Sequence, residues 1–112
     1  MTSHSVEAYG ATPASRLTLL FGVRDRARHR SLMVEILQHA RHARLAGATA
    51  YQAVEGFGSA GTLHSGHLLK DDTPLGIVIV DRPARVQHFL TQVEGLLHGV
   101  VAVLDDVEIL DL

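Results

Sequence analysis

Glycine is concentrated in the run Val54-Glu55-Gly56-Phe57-Gly58-Ser59-Ala60-Gly61, where an apolar stretch gives way to a polar one. Glycine permits positive φ and leaves backbone N–H groups uncovered, so a loop of this kind can cradle an anion. A flexible connection with no ligand would show the same punctuation. Position favours a ligand-responsive loop, because the run sits inside a chain that reads βαββαβ. Arg24, Arg26, Arg28 and Arg30 crowd a connection upstream. Guanidinium forks match phosphate or carboxylate, although a solvated loop is the simpler reading of composition alone. Downstream, His64 and His67 lie near Asp71 and Asp72. These are metal-ligating types, but the spacing is not specific and a closed site wants four ligands. His64 reads better as a loop anchor or ligand contact. His39 and His42 share a helix face, yet Arg41 and Arg44 beside them make a poor cation site. Asp105 and Asp106 are adjacent in an extended segment and point to opposite faces, so the pair reads as a turn or strand break. Gly56 to Gly61 has the spacing G-x-G-x-x-G but opens a polar loop rather than a helix, which removes the dinucleotide reading. No serine–histidine–acid set or Walker loop is present, and the chain reads as a non-enzyme.

The elements that hold these residues follow from periodicity. Arg16–Val23 alternates as a strand, with Leu17, Leu19, Phe21 and Val23 on one face. A helix is expected over Ser31–Leu45, with Ser31 as N-cap, Met33, Ile36, Leu37 and Ala40 inward, and Gly47 as its stop. A second strand spans Ala48–Phe57, a loop 58–73, and a third strand Leu75–Val80. Asp81-Arg82-Pro83 starts a second helix that runs to His98, with Val86, Phe89, Leu90, Val93 and Leu97 in one stripe and Gly99 at its end. A fourth strand covers Val100–Leu104 and resumes at Val107–Leu110. This order predicts an α+β, ferredoxin-like βαββαβ fold, an antiparallel sheet with both helices on one face. The other face should be polar in a monomer, yet Val78, Val80 and one face of the fourth strand are apolar. A homo-oligomer that buries those faces is therefore expected.

The chain has 112 residues, enough for one core, and no cysteine, which excludes disulfides, zinc ribbons and thiol catalysis. A net charge of −2 gives no sign of nucleic acid as a partner. Residues 1–14 read as a flexible tail without a secretory signal, residues 15–112 as the domain, and the location as cytoplasmic.

Several motifs together resemble a known group. They are Ala46-Gly47-Ala48-Thr49, Glu55-Gly56-Phe57-Gly58, Leu63-His64-Ser65, Pro74, Ile77-Val78-Ile79-Val80-Asp81 and Leu104-Asp105-Asp106-Val107-Glu108. Gly22, Asp25, Leu32 and Ile36 fit the same pattern. Over about residues 16–110 the chain resembles the PII-like family called domain of unknown function 190. The resemblance implies a ferredoxin-like subunit, a homotrimer, and a small-molecule effector held between subunits. By kinship with PII signal proteins, Gly56, Phe57 and Gly58 line that cleft and residues 59–73 form a shortened T-loop. The implied ligand is an adenine nucleotide or another anion, bound by Gly56, Phe57, Gly58, Ser59, Ala60, Gly61 and His64 with Arg24, Arg26 or Arg28. The implied role is regulation of a partner such as a membrane transporter. The chain differs from classical PII proteins in joining helix 2 to strand 4 through His98-Gly99-Val100, without a glycine-rich phosphate loop. The alternative is a CutA-like metal-binding trimer using His64, His67 and Asp72.

Overall fold

The computed structural model describes residues 9–22, 25–27, 30–52, 55–57, 63–65 and 74–112, with backbone alone at 26–27, 55–57 and 63–65. In chain order the elements are β1 (Gly10–Gly22), β2 (Arg26–Ala27), β3 (Arg30–Ser31), α1 (Leu32–His42), β4 (Ala48–Gln52), β5 (Glu55–Phe57), β6 (Leu63–Ser65), β7 (Pro74–Asp81), α2 (Pro83–Val93) and β8 (Val101–Asp111). A 3₁₀ turn, Glu94–Leu96, extends α2. Four strands form one sheet in the order β4-β7-β1-β8. All its neighbours are antiparallel. Each helix thus joins two parallel strands with a third between them, the ferredoxin-like arrangement expected from the sequence.

Alternation decides what is buried. Leu17 and Leu19 of β1 and Ile77 and Ile79 of β7 are fully inaccessible, and Phe21 nearly so. They meet Leu32, Ile36 and Ala40 of α1 and Val86, Phe89 and Val93 of α2 in one cluster. Burying each large side chain contributes about 1.5–3 kcal/mol. The opposite sheet face carries Leu20, Tyr51, Val101 and Val103, all among the exposed large hydrophobics.

Local chemistry sets the helix ends. The Ser31 hydroxyl accepts from the Val34 backbone N–H at 3.2 Å, so Ser31 is the N-cap of α1, as expected. The C-terminus closes earlier than the expected Leu45. Arg44 adopts φ 55°, the left-handed region that glycine usually fills. Its N–H donates to the Arg41 carbonyl, and the Leu45 N–H to the Ala40 carbonyl, which completes a Schellman turn. The stop is therefore Arg44 and not Gly47. The second helix also closes earlier than the expected His98: α2 stops at Val93 and its 3₁₀ turn at Leu96, so Gly99, with φ 81°, belongs to the turn that leads into β8 and does not end the helix.

Three other expectations need correction. β1 begins at Gly10 rather than Arg16, and Gly10–Ala14, expected in the tail, pair with Val107–Asp111 of β8. β8 is continuous, with no break at Asp105-Asp106. Asp105 lies opposite Arg16 and accepts from its guanidinium at 2.5 and 3.2 Å, so the strand keeps its acidic pair without a turn. The 58–73 segment is not all loop, since it contains β6.

Candidate functional site

β1 turns at the end of the sheet where β7 starts and β4 finishes, since Gly22 pairs with Pro74 and Gln52 with Leu75. Asp25 fastens this turn. Its N–H donates to the Gly22 carbonyl at 3.1 Å, its carboxylate accepts from the Gly22 N–H at 2.9 Å, and its carbonyl accepts from the Leu32 N–H at 3.0 Å. The basic connection is thereby tied to both β1 and α1. Within it β2 and β3 form a small hairpin, with Arg26 opposite Ser31 and Ala27 opposite Arg30. The Arg30 guanidinium lies 3.6 Å from the Glu35 carboxylate.

β4 leads into β5, which pairs with β6. Glu55 faces Ser65, Gly56 faces His64 and Phe57 faces Leu63. Two of the sequence-selected residues, Gly56 and His64, are thus cross-strand partners on the backbone. Facing residues in an antiparallel pair have Cα atoms about 4.5–5.5 Å apart. Arg26 and Phe57 are placed by their strands. Arg24, Arg28, Gly58, Ser59, Ala60 and Gly61 lie outside the described residues, as do His67 and Asp72 of the metal reading. Among the described residues no group of His, Asp and Glu is arranged to hold a metal ion. His39 lies 3.6 Å from Glu35 on α1.

Sequence reasoning missed a second constellation, at the opposite end of the sheet. Asp81 ends β7 and is only 7% exposed. Its carboxylate accepts from the Ala46 N–H at 2.8 Å, the Arg82 N–H at 2.7 Å and Arg85 Nε at 3.3 Å. Burial pushes the Asp81 carboxyl up, but the two backbone donors and the Arg85 guanidinium outweigh it and hold the group below its ordinary value. Arg85 also donates from Nη2 to the Ala43 and Arg44 carbonyls, satisfying the C-terminus of α1. One ion pair thus joins α1, β4, β7 and α2. The i,i+4 spacing of Asp81 and Arg85 was the available signal. In the sequence alone the same residues read as a helix start. Beside the pair opens a cleft of about 490 Å³, lined by Thr12, Arg44, Ala46, Asp81, Arg82, Arg85 and Ile109.

Residues 14–109 match the family model DUF190, described as "Uncharacterized ACR". The chain belongs to the DUF190 family. This DUF190 chain is 29% identical over 77 residues to a UPF0166 protein of Aquifex aeolicus (strain VF5), a match covering 67% of this chain and 72% of the relative. Its fold is similar to that of CPII, a nitrogen regulatory PII-like protein from Thiomonas intermedia K12, solved bound to ADP, AMP and bicarbonate. That match has TM-score 0.70 and 18% identity over 90% of this chain and 92% of the other. It is also similar to a putative PII-like signaling protein from Thermus thermophilus, with TM-score 0.58 and 15% identity over 88% and 90% of the two chains. At these identities the likeness establishes a PII-like fold. No described helix of the DUF190 chain is long and apolar enough to cross a membrane.

Proposed function

We propose that this DUF190 chain is a PII-like regulatory subunit, not an enzyme, that takes a small anionic effector between neighbouring subunits. The observation that carries the reading is the β5–β6 pairing, with Gly56 opposite His64 at the base of the glycine-rich segment. Gly56, Phe57, Gly58, Ser59, Ala60 and Gly61 supply backbone donors, His64 a side-chain contact, and Arg24, Arg26 or Arg28 charge. An adenine nucleotide is the first candidate, in keeping with the ADP and AMP bound to the similarly folded CPII. The exposed Leu20, Tyr51, Val101 and Val103 support assembly, because an apolar sheet face of this kind is covered in most stable proteins. A homotrimer with sheets turned inward is the assembly proposed. Residues 59–73 act as a short T-loop whose state, set by the effector, engages or releases a partner such as a membrane transporter. The effector drives that change only through different affinities for the two loop states.

Titration calorimetry with ATP, ADP, AMP and cyclic AMP, each with and without Mg²⁺, tests the reading. Saturable heat at one site per subunit, weakened by Gly58→Val, is the expected result. Absence of heat with every nucleotide overturns the nucleotide assignment.

A further inference from the structure

The cleft beside Asp81 carries more positive charge than its surroundings explain. Arg44, Arg82 and Arg85 line it against one carboxylate, in a chain whose net charge is −2. The carboxylate is already committed, since Asp81 accepts from Ala46, Arg82 and Arg85. Arg85 is committed as well, to Asp81 and to the end of α1. Arg44 and Arg82 are different. Among the described residues neither guanidinium has a hydrogen-bond or ion-pair partner. Arg44 and Arg82, both with guanidiniums unpaired among the described residues, line one concavity next to Arg85, and like charges gathered in this way favour an anion among them.

The backbone adds to the imbalance. Arg82 is the N-cap of α2 and offers no side-chain acceptor, and the first turn holds no acidic residue. Cations at the positive end of a helix are unfavourable, whereas an anion there is favoured. The volume, about 490 Å³, falls within the range of small-molecule sites. Thr12 adds a hydroxyl and Ile109 an apolar wall.

We infer that this cleft binds a compact phosphate-bearing anion, with the guanidiniums of Arg44 and Arg82 as its charged ligands and Arg85 as the fixed wall behind them. The site is separate from the glycine-rich segment. It lies where Ser15 pairs with Asp81, whereas β4 leads into that segment from the Gln52–Leu75 end. Along β7, Leu75 and Asp81 are about 20 Å apart at ~3.4 Å per residue. The inference therefore does not depend on the nucleotide reading.

Inorganic phosphate, titrated into the full chain at low ionic strength and followed by ³¹P NMR, is the probe. Saturable broadening is expected, with affinity falling about tenfold for each guanidinium removed, a step of about 1.4 kcal/mol. Arg44→Gly is the first variant. Its backbone suits the φ of 55° better than arginine does, so lost binding there does not reflect lost folding. Arg82→Gln is the second, because its side chain makes no described contact. Gly58→Val should leave phosphate binding intact while weakening nucleotide binding. The inference is overturned by absence of saturable binding in the parent chain, by unchanged affinity in Arg44→Gly/Arg82→Gln, or by loss in Gly58→Val alone.

Discussion

Arg44 holds a backbone conformation that costs an L-residue about 1–2 kcal/mol. It persists because its carbonyl accepts from Arg85 and its N–H closes the Schellman turn. Arg44→Gly keeps both backbone bonds and removes the Cβ clash. It should stabilise the protein by about 0.5–1 kcal/mol, less the entropy glycine adds to the unfolded chain. Thermal unfolding should show a midpoint raised by a few degrees. Asp81 works in the opposite sense. Asp81→Asn removes a charge that two backbone N–H groups and Arg85 are arranged to meet. The expected cost is about 1–3 kcal/mol at neutral pH. The folded carboxyl titrates below its ordinary 3.8. Unfolding therefore raises its proton affinity, and the stabilisation is complete above 3.8 and lost as pH falls through the lower folded value. Urea unfolding of parent and variant across acid and neutral pH should show their difference shrinking only on the acid side. A difference that stays constant down to strong acid would mean the carboxylate charge is not what Ala46 and Arg85 need.

Among the elements, the β4–β7 pair depends on one glycine. Tyr51 lies across Gly76, and a Cβ at Gly76 would come 2.3 Å from the tyrosine ring. The ring is the movable end of its side chain, so Gly76→Ala should displace it rather than unfold the sheet, at a cost of about 1 kcal/mol. Tyr9 and Tyr51 are the only tyrosines and there is no tryptophan, so tyrosine fluorescence reports the displacement directly. Unchanged emission with unchanged stability would contradict the ring-over-glycine contact. How much of this was readable in advance differs by element. β7 and both helices were legible, because Ile77, Ile79, Ile36, Val86 and Phe89 keep strict period and the Ser31 and Pro83 signals are local. The first half of β1 was not. Gly10-Ala11-Thr12-Pro13 carries little strand propensity of its own and is held by pairing with β8, a partner remote in sequence. Asp105-Asp106 misled for the same reason, since Arg16 stands across the ladder from Asp105. In the candidate site the glycines were visible as residue types, but the facing of Gly56 and His64 depends on a register that composition does not encode.

For the whole molecule, the sheet has one face committed to the helices and one face open. Leu20, Val101 and Val103 form its apolar patch, with Leu20 directly opposite Val101. Val103→Lys puts a charge where a neighbouring sheet would pack, while the core beneath β1 is untouched. Light scattering coupled to size exclusion should find the parent chain as a trimer and the variant shifted toward monomer. A variant that stays trimeric with the same stability would move the interface elsewhere on the surface.

β1 is the inner strand between β7 and β8, and every partner it has in the sheet lies at Pro74 or beyond. During synthesis it leaves the ribosome long before anything can pair with it. For most of translation the apolar Leu17-Thr18-Leu19-Leu20-Phe21 stretch is exposed with both edges bare, and α1 alone is local enough to form beside it. Closing such distant ladders is slow. The step most open to misassembly for this protein is therefore the wait before β7 emerges, when the strand that becomes the centre of the sheet is its least protected part.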